Sequence, residues 1–152
     1  MKGLNDLHEI LKENRQALKT SAKNWDVWME NGTLKSGGML EDENGYQYAN
    51  LEYRAVVYVE KLPSDRGALL IALIRQYANQ RERENSKTID IEFDQTNLNG
   101  KQINLEITLQ LTDILYMTEV EDSPIEWAGK KLAPGAHTLN IAETGNVTGG
   151  IK

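Results

Sequence analysis

Leu4, Leu7, Leu11 and Leu18 recur at spacings of three, four and seven, with Ile10 and Ala17 beside them. That stripe predicts an amphipathic helix over residues 3–19. The period changes to two at Trp25, Val27 and Met29, a first strand, and Asn31-Gly32 is expected to turn the chain. Residues 35–45 hold Gly37-Gly38 and the run Glu41-Asp42-Glu43-Asn44-Gly45, with little to bury, and read as an exposed, mobile loop between strands. From Tyr46 to Glu60 both alternating faces carry apolar or aromatic side chains, so this strand should be central. Pro63 ends it, and Ser64 and Asp65 offer a cap and a first-turn acid to a helix over about 66–82, whose apolar face holds Leu69, Leu70, Leu73, Ile74 and Tyr77.

The most regular alternation follows. Ile89, Ile91 and Phe93 interleave with Asp90, Glu92 and Asp94; Asn97-Leu98-Asn99-Gly100 turns; then Ile103, Leu105, Ile107, Leu109 and Leu111 interleave with Asn104, Glu106, Thr108 and Gln110. This is an antiparallel hairpin with one apolar and one polar face. After Pro124 the pattern weakens: Trp127, Leu132, Leu139 and Ile141 suit a docking arm and residues 145–152 a frayed tail. The order helix, strand, strand, helix, strand, strand predicts an α+β fold, a four-stranded mixed or antiparallel sheet with both helices on one face. Residues 1–123 are expected to form the single domain and residues 124–152 a C-terminal arm and flexible tail.

Charge and composition narrow the chemistry. The chain has 152 residues, 17 Lys plus Arg against 23 Asp plus Glu, a net charge of −6 and no cysteine. Without a basic stripe, specific nucleic-acid binding is not expected, and without cysteine there is neither disulfide nor thiolate metal site. No stretch has the length of a membrane span, and the N-terminal residues lack a secretion signal, so a cytoplasmic, membrane-free protein is expected. His8 and His137 stand far apart, and no phosphate loop, nucleophile elbow or dinucleotide fingerprint occurs. No catalytic residue, metal or cofactor is expected.

Three groups remain as candidates. Asp90, Glu92, Asp94 and Glu106 share the polar side of the hairpin, where a solvated strand face explains them more simply than a hydrolase pair or cation site. Trp28, Tyr48, Arg54, Val56 and Tyr58 depart from the main apolar positions and suit a subunit interface. Glu41, Asp42 and Glu43 suit a partner-contact loop.

The leucine-rich first helix, Trp28-Met29-Glu30-Asn31-Gly32-Thr33-Leu34, then residues 51–59, the helix from Leu69 to Gln80 and the strand Ile103–Thr112 together resemble the phage tail completion protein R (GpR) family of contractile-tailed phages and prophages, over about residues 4–115. That resemblance implies a tail-terminator-like fold. It also implies a ring, a hexamer, which caps the tail tube, stops its polymerisation and joins it to the head, with no catalysis. The implied partners are further copies of the chain, the tail tube, and neck or head-completion proteins, with DNA passing through the lumen. Asp90, Glu92, Asp94 and Glu106 are the candidate lumen face, because carboxylates repel phosphates. The implied setting is the bacterial host cytoplasm during assembly and then the virion. The alternative is a small acidic protein-binding module of the immunity or antitoxin type, steering towards a basic partner.

Overall fold

A computed structural model of the chain describes residues 2–135; Leu139, Ile141, His137 and the 145–152 tail lie outside them. The leucine stripe forms helix α1 (Lys2–Glu13), and after a break at Asn14 a single turn, α2 (Arg15–Leu18). The predicted continuous helix is therefore interrupted, and Lys19, in the left-handed region at φ 55°, ends it. Leu4, Leu7, Leu11 and Leu18 are all buried nonetheless.

Two strands and a second helix follow. Strand β1 (Trp25–Ser36) continues through the expected Asn31-Gly32 turn as a bulge between Glu30 and Thr33, with Asn31 at φ 53°. The mobile loop expected over 35–45 is corrected to an ordered hairpin tip. Within it, β2 (Glu41–Asp42) pairs with the start of β3 (Gly45–Pro63). Helix α3 (Gly67–Asn85) follows a short 3₁₀ turn at Ser64–Arg66; its first turn has no side-chain cap, so Ser64 does not play the expected part. Leu70, Ile74 and Tyr77 point inward, whereas Leu69 is exposed.

Strands β4 (Ile91–Asn99) and β5 (Gln102–Val120) form the predicted hairpin. The Asn99 side-chain oxygen accepts the Lys101 and Gln102 backbone N–H groups at its turn. Strands β6 (Ile125–Trp127) and β7 (Lys130–Pro134) then add to the same sheet, β7 pairing with the far end of β5. The fold is α+β, as predicted, but among the described residues the sheet has seven strands, not four, and every pairing is antiparallel.

The sheet has two unequal halves because β3 and β5 are each 19 residues long. Over one half, Trp25 and Val27, Ala55, Val57 and Val59, and Leu105, Ile107, Leu109 and Leu111 meet the helices in the main core. Among the described residues, no helix contributes at the distal end. There Tyr46, Met117 and Leu132 form a second, small cluster, with Met39, Tyr48, Leu115 and Ile125 packed against it.

His8 lies at the edge of the main core, its ring edge-on to Trp25 at 6.2 Å between centroids. Burial pulls its pKa below the ordinary 6.5, Lys12 adding to that and Glu9 opposing it. A histidine with a depressed folded pKa takes up its proton more readily when the chain is unfolded, so stability present above pH 6.5 is lost as pH falls below it. Thermal melts between pH 7.5 and 5.5 should show this decline, and His8→Gln should flatten it. An unchanged slope in the variant would place the titration elsewhere.

Candidate functional site

Residues 54, 56 and 58 of β3, 92 and 94 of β4, and 104, 106, 108 and 110 of β5 face away from the helices, and cross-strand register arranges them, with β1, in rows. One row runs Trp28, Val56, Thr108, Glu92; the next runs Asp26, Tyr58, Glu106, Asp94. Glu30 and Arg54 begin a third and face each other 3.9 Å apart, with Trp28 Nε1 donating to Glu30 at 3.0 Å. Val56, in the middle of this face, is only 1% exposed.

Four of the five residues expected at an interface, Trp28, Arg54, Val56 and Tyr58, therefore share one continuous face with Glu92, Asp94 and Glu106. Asp90 immediately precedes β4. Tyr48 belongs elsewhere, in the distal cluster.

Electrostatically this face is unbalanced. Glu106 and Asp94 are directly opposed on neighbouring strands, a like-charge pairing that weakens a sheet instead of supporting it. Neither they nor Asp90 and Glu92 take part in an ion pair among the described residues. The neighbouring Tyr58 hydroxyl has its pKa raised, first by burial and then by Glu60 and Glu106. Glu52, two rows away, is different: Lys35 at 3.2 Å and Lys87 at 3.6 Å hold it, the Lys35 hydrogen bond chiefly lowering its pKa. No group of three or more His, Cys, Asp or Glu residues that could hold a metal ion occurs among the described residues.

The three acids of the expected contact loop separate in role. Asp42 accepts the Asn44 backbone N–H at 2.8 Å, the Gln47 amide at 3.0 Å and the Tyr116 hydroxyl at 3.1 Å, so it organises the tip. Glu41 and Glu43 are exposed. Leu40, 67% exposed, stands beside them, while the Trp127 and Tyr46 rings meet tilted at 56° with centroids 5.4 Å apart and Lys130 donates to the Tyr46 hydroxyl at 3.0 Å. The distal end thus combines acidic and apolar side chains.

Sequence reasoning missed a buried polar network. Asp113, on the core face of β5, accepts Tyr53 Oη at 2.5 Å, the Gly3 backbone N–H at 3.1 Å and Arg81 Nη2 at 2.9 Å; Arg81 also donates to the Thr112 carbonyl. Arg81 and Asp113 are both buried. Burial and the adjacent Asp113 push the Tyr53 hydroxyl far above its ordinary pKa, keeping it a donor. The signal was present: Asp113 continues the odd-numbered apolar series of β5, so an acid stands where the alternation calls for a core residue. The network joins α1, through Gly3, and α3, through Arg81, to the sheet.

No curated protein and no solved structure matches the chain. A family model described as P2 phage tail completion protein R (GpR) matches residues 1–135. That family is one of structural tail proteins acting in virion assembly, which implies contact with other phage tail proteins and a place in the virion. No helix among the described residues is long and apolar enough to cross a membrane. The matched span takes in α1, α2 and α3, the seven strands of the described residues and the carboxylate-bearing face, and the chain belongs to the phage tail completion protein R family.

Proposed function

We propose that this protein completes the tail by closing as a hexameric ring on the head-proximal end of the tail tube, where it stops tube growth and readies the tail for joining to the head. The observation that supports this reading best is the uncovered sheet face with its opposed Glu106 and Asp94. Stability alone disfavours such a row, and a lumen through which DNA must slide favours it, since carboxylates repel phosphates. In this reading Glu92, Asp94 and Glu106, with Asp90 beside them, line the lumen. Trp28, with Arg54, Val56 and Tyr58 behind it, lies towards the neighbouring subunit. The distal tip, with Glu41, Asp42, Glu43 and the Tyr48 cluster, contacts the tube or neck proteins. The subunit assembles in the host cytoplasm before it joins the virion.

The test is complementation of a phage lacking the gene, read by electron microscopy and DNA ejection. Without the protein, tails should be abnormally long or unjoined, and wild-type protein should restore them. A variant carrying Asp90→Asn, Glu92→Gln and Glu106→Gln should restore tail length and joining but alter DNA retention or ejection. Normal tails in the absence of the protein overturn the function; unchanged ejection with the variant overturns the lumen placement.

A further inference from the structure

Among the described residues, β1 and β4 pair on one side only, with β3 and β5 respectively. They are therefore the two lateral edges of the helix-backed half of the sheet. Natural edge strands are usually protected by proline, lysine, shortness or a bulge. Residues 25–30 of β1 and all nine of β4 contain neither proline nor lysine, and the register irregularities come only after Glu30 in β1 and after Asn97 in β4. Phe93, in the middle of β4 and on its helix-side face, is 58% exposed. Both edges are thus open templates, and one carries an uncovered aromatic ring.

We propose that β4 of one subunit pairs with β1 of the next, so that a second copy of this chain occupies each edge. The proposal rests on the ring reading and specifies how the ring closes. Its first support is topological. The strands β1, β3, β5 and β4 alternate in direction, every neighbour being antiparallel. Rotation about an axis along the strands leaves their sense unchanged, so β4 meets the next β1 antiparallel and the alternation continues around the circle. Such a contact is heterologous, the kind from which closed rings are built.

The second support is electrostatic. Asp90, Glu92 and Asp94 lie at the β4 edge with no cation between Thr88 and Gly100. At the other edge, the segment leading into β1 exposes Lys12, Arg15, Lys19 and Lys23, with Glu13 the sole acid among them. None of these four cations makes an ion pair among the described residues. The segment leading into β1 thus carries cations without an ion pair, although β1 itself bears Asp26 and Glu30, and the β4 edge carries only carboxylates, so attraction between that segment and the neighbouring β4 edge steers head-to-tail encounter. Pairing also places the neighbouring β1 beside Phe93 and extends the carboxylate-bearing face across the seam without interruption.

The absence of cysteine allows a direct test. One residue of β1, Asp26→Cys or Glu30→Cys, is combined in the same chain with one of β4, Glu92→Cys or Asp94→Cys. Within a subunit these strands are three steps apart, roughly 14 Å at about 4.8 Å per step, well beyond the ~7 Å reach of a disulfide. Oxidation at high protein concentration should give, for at least one of the four combinations, a ladder on non-reducing gels that ends at the closed ring. Mixing the corresponding single-cysteine chains should stop at dimers containing one of each. Rings seen by size-exclusion chromatography and negative stain, with no cross-link in any combination, overturn the edge pairing and leave the ring reading standing. Chains that stay monomeric and uncross-linked overturn both.

Discussion

Arg81→Leu should destabilise the protein by about 3–5 kcal/mol, the usual penalty for leaving a buried charge without its partner, measured as a shift in the urea unfolding midpoint. Asp113 sits among Tyr53, Gly3 and Arg81, and removing the guanidinium leaves a buried carboxylate held by a phenol and one backbone N–H. Asp113→Leu should also be costly, because it leaves the Arg81 cation buried and strips the Tyr53 hydroxyl and the Gly3 N–H of their acceptor. The double variant should cost much less than the two singles added together, with a coupling of up to ~3 kcal/mol, since a buried ion pair is expensive to break and cheap to replace whole. Additive losses, or a single loss within about 0.5 kcal/mol as at an ordinary surface site, would show that the pair does not hold the helices to the sheet.

Gly45→Ala should release the distal end of the sheet while the helix-backed half stays folded. Gly45 adopts φ +121°, and a Cβ there would stand 2.5 Å from the Met117 carbonyl oxygen and 3.1 Å from Thr118 Cγ2. The conformation alone costs an L-residue about 1–3 kcal/mol, and forcing a methyl against a backbone carbonyl adds roughly 1–3 kcal/mol. The cluster of Tyr46, Met117 and Leu132 is too small to absorb that loss, so the tip should detach locally before the protein unfolds globally. Amide hydrogen exchange should accelerate at Tyr46, Gln47 and Met117, with protection retained at Val57 and Ile107. Gly38→Ala is the control: φ is +81° there, but a Cβ would meet nothing within 4 Å, so only the strain is felt. Global unfolding of the Gly45 variant, or equal behaviour of the two, would refute the independence of the distal end.

The periodic segments of the sequence translated directly into structure. The leucine stripe, the central strand and the β4–β5 hairpin each repeat one physical instruction many times, so that a single exception does not obscure it. What escaped lay where the instruction depends on partners distant in sequence. The tip at 37–44 looks like a polar loop because its order comes from Asp42 bonding to Gln47 and Tyr116, not from apolar periodicity. Strands β6 and β7 are three and five residues long, too short to show an alternation; β7 is held by pairing with β5, and β6 by pairing with β7. At the candidate site, sequence alternation put Glu92, Asp94 and Glu106 on one face correctly. It separated them from Trp28, Arg54, Val56 and Tyr58 because only the register across β1, β3, β5 and β4 shows that both sets share rows. Tyr48 left that set because register shifts between Gln47 and Ala49.

The length of β3 and β5 also sets an order of events for the newly made chain. The β1–β3 and β4–β5 hairpins join residues close in sequence and are quick to form, whereas every β3–β5 pair must close a loop containing α3, and the pair nearest the tip, Tyr46 with Met117, closes the longest. Loop entropy is lost before such contacts repay it. The ladder therefore zips from Pro63 and Gln102 outwards, and the distal end is the last part to gain its shape. Until then the distal half of β5 and the side of β3 that receives it are exposed, and a subunit released before this final step carries the greatest risk of joining the wrong neighbour.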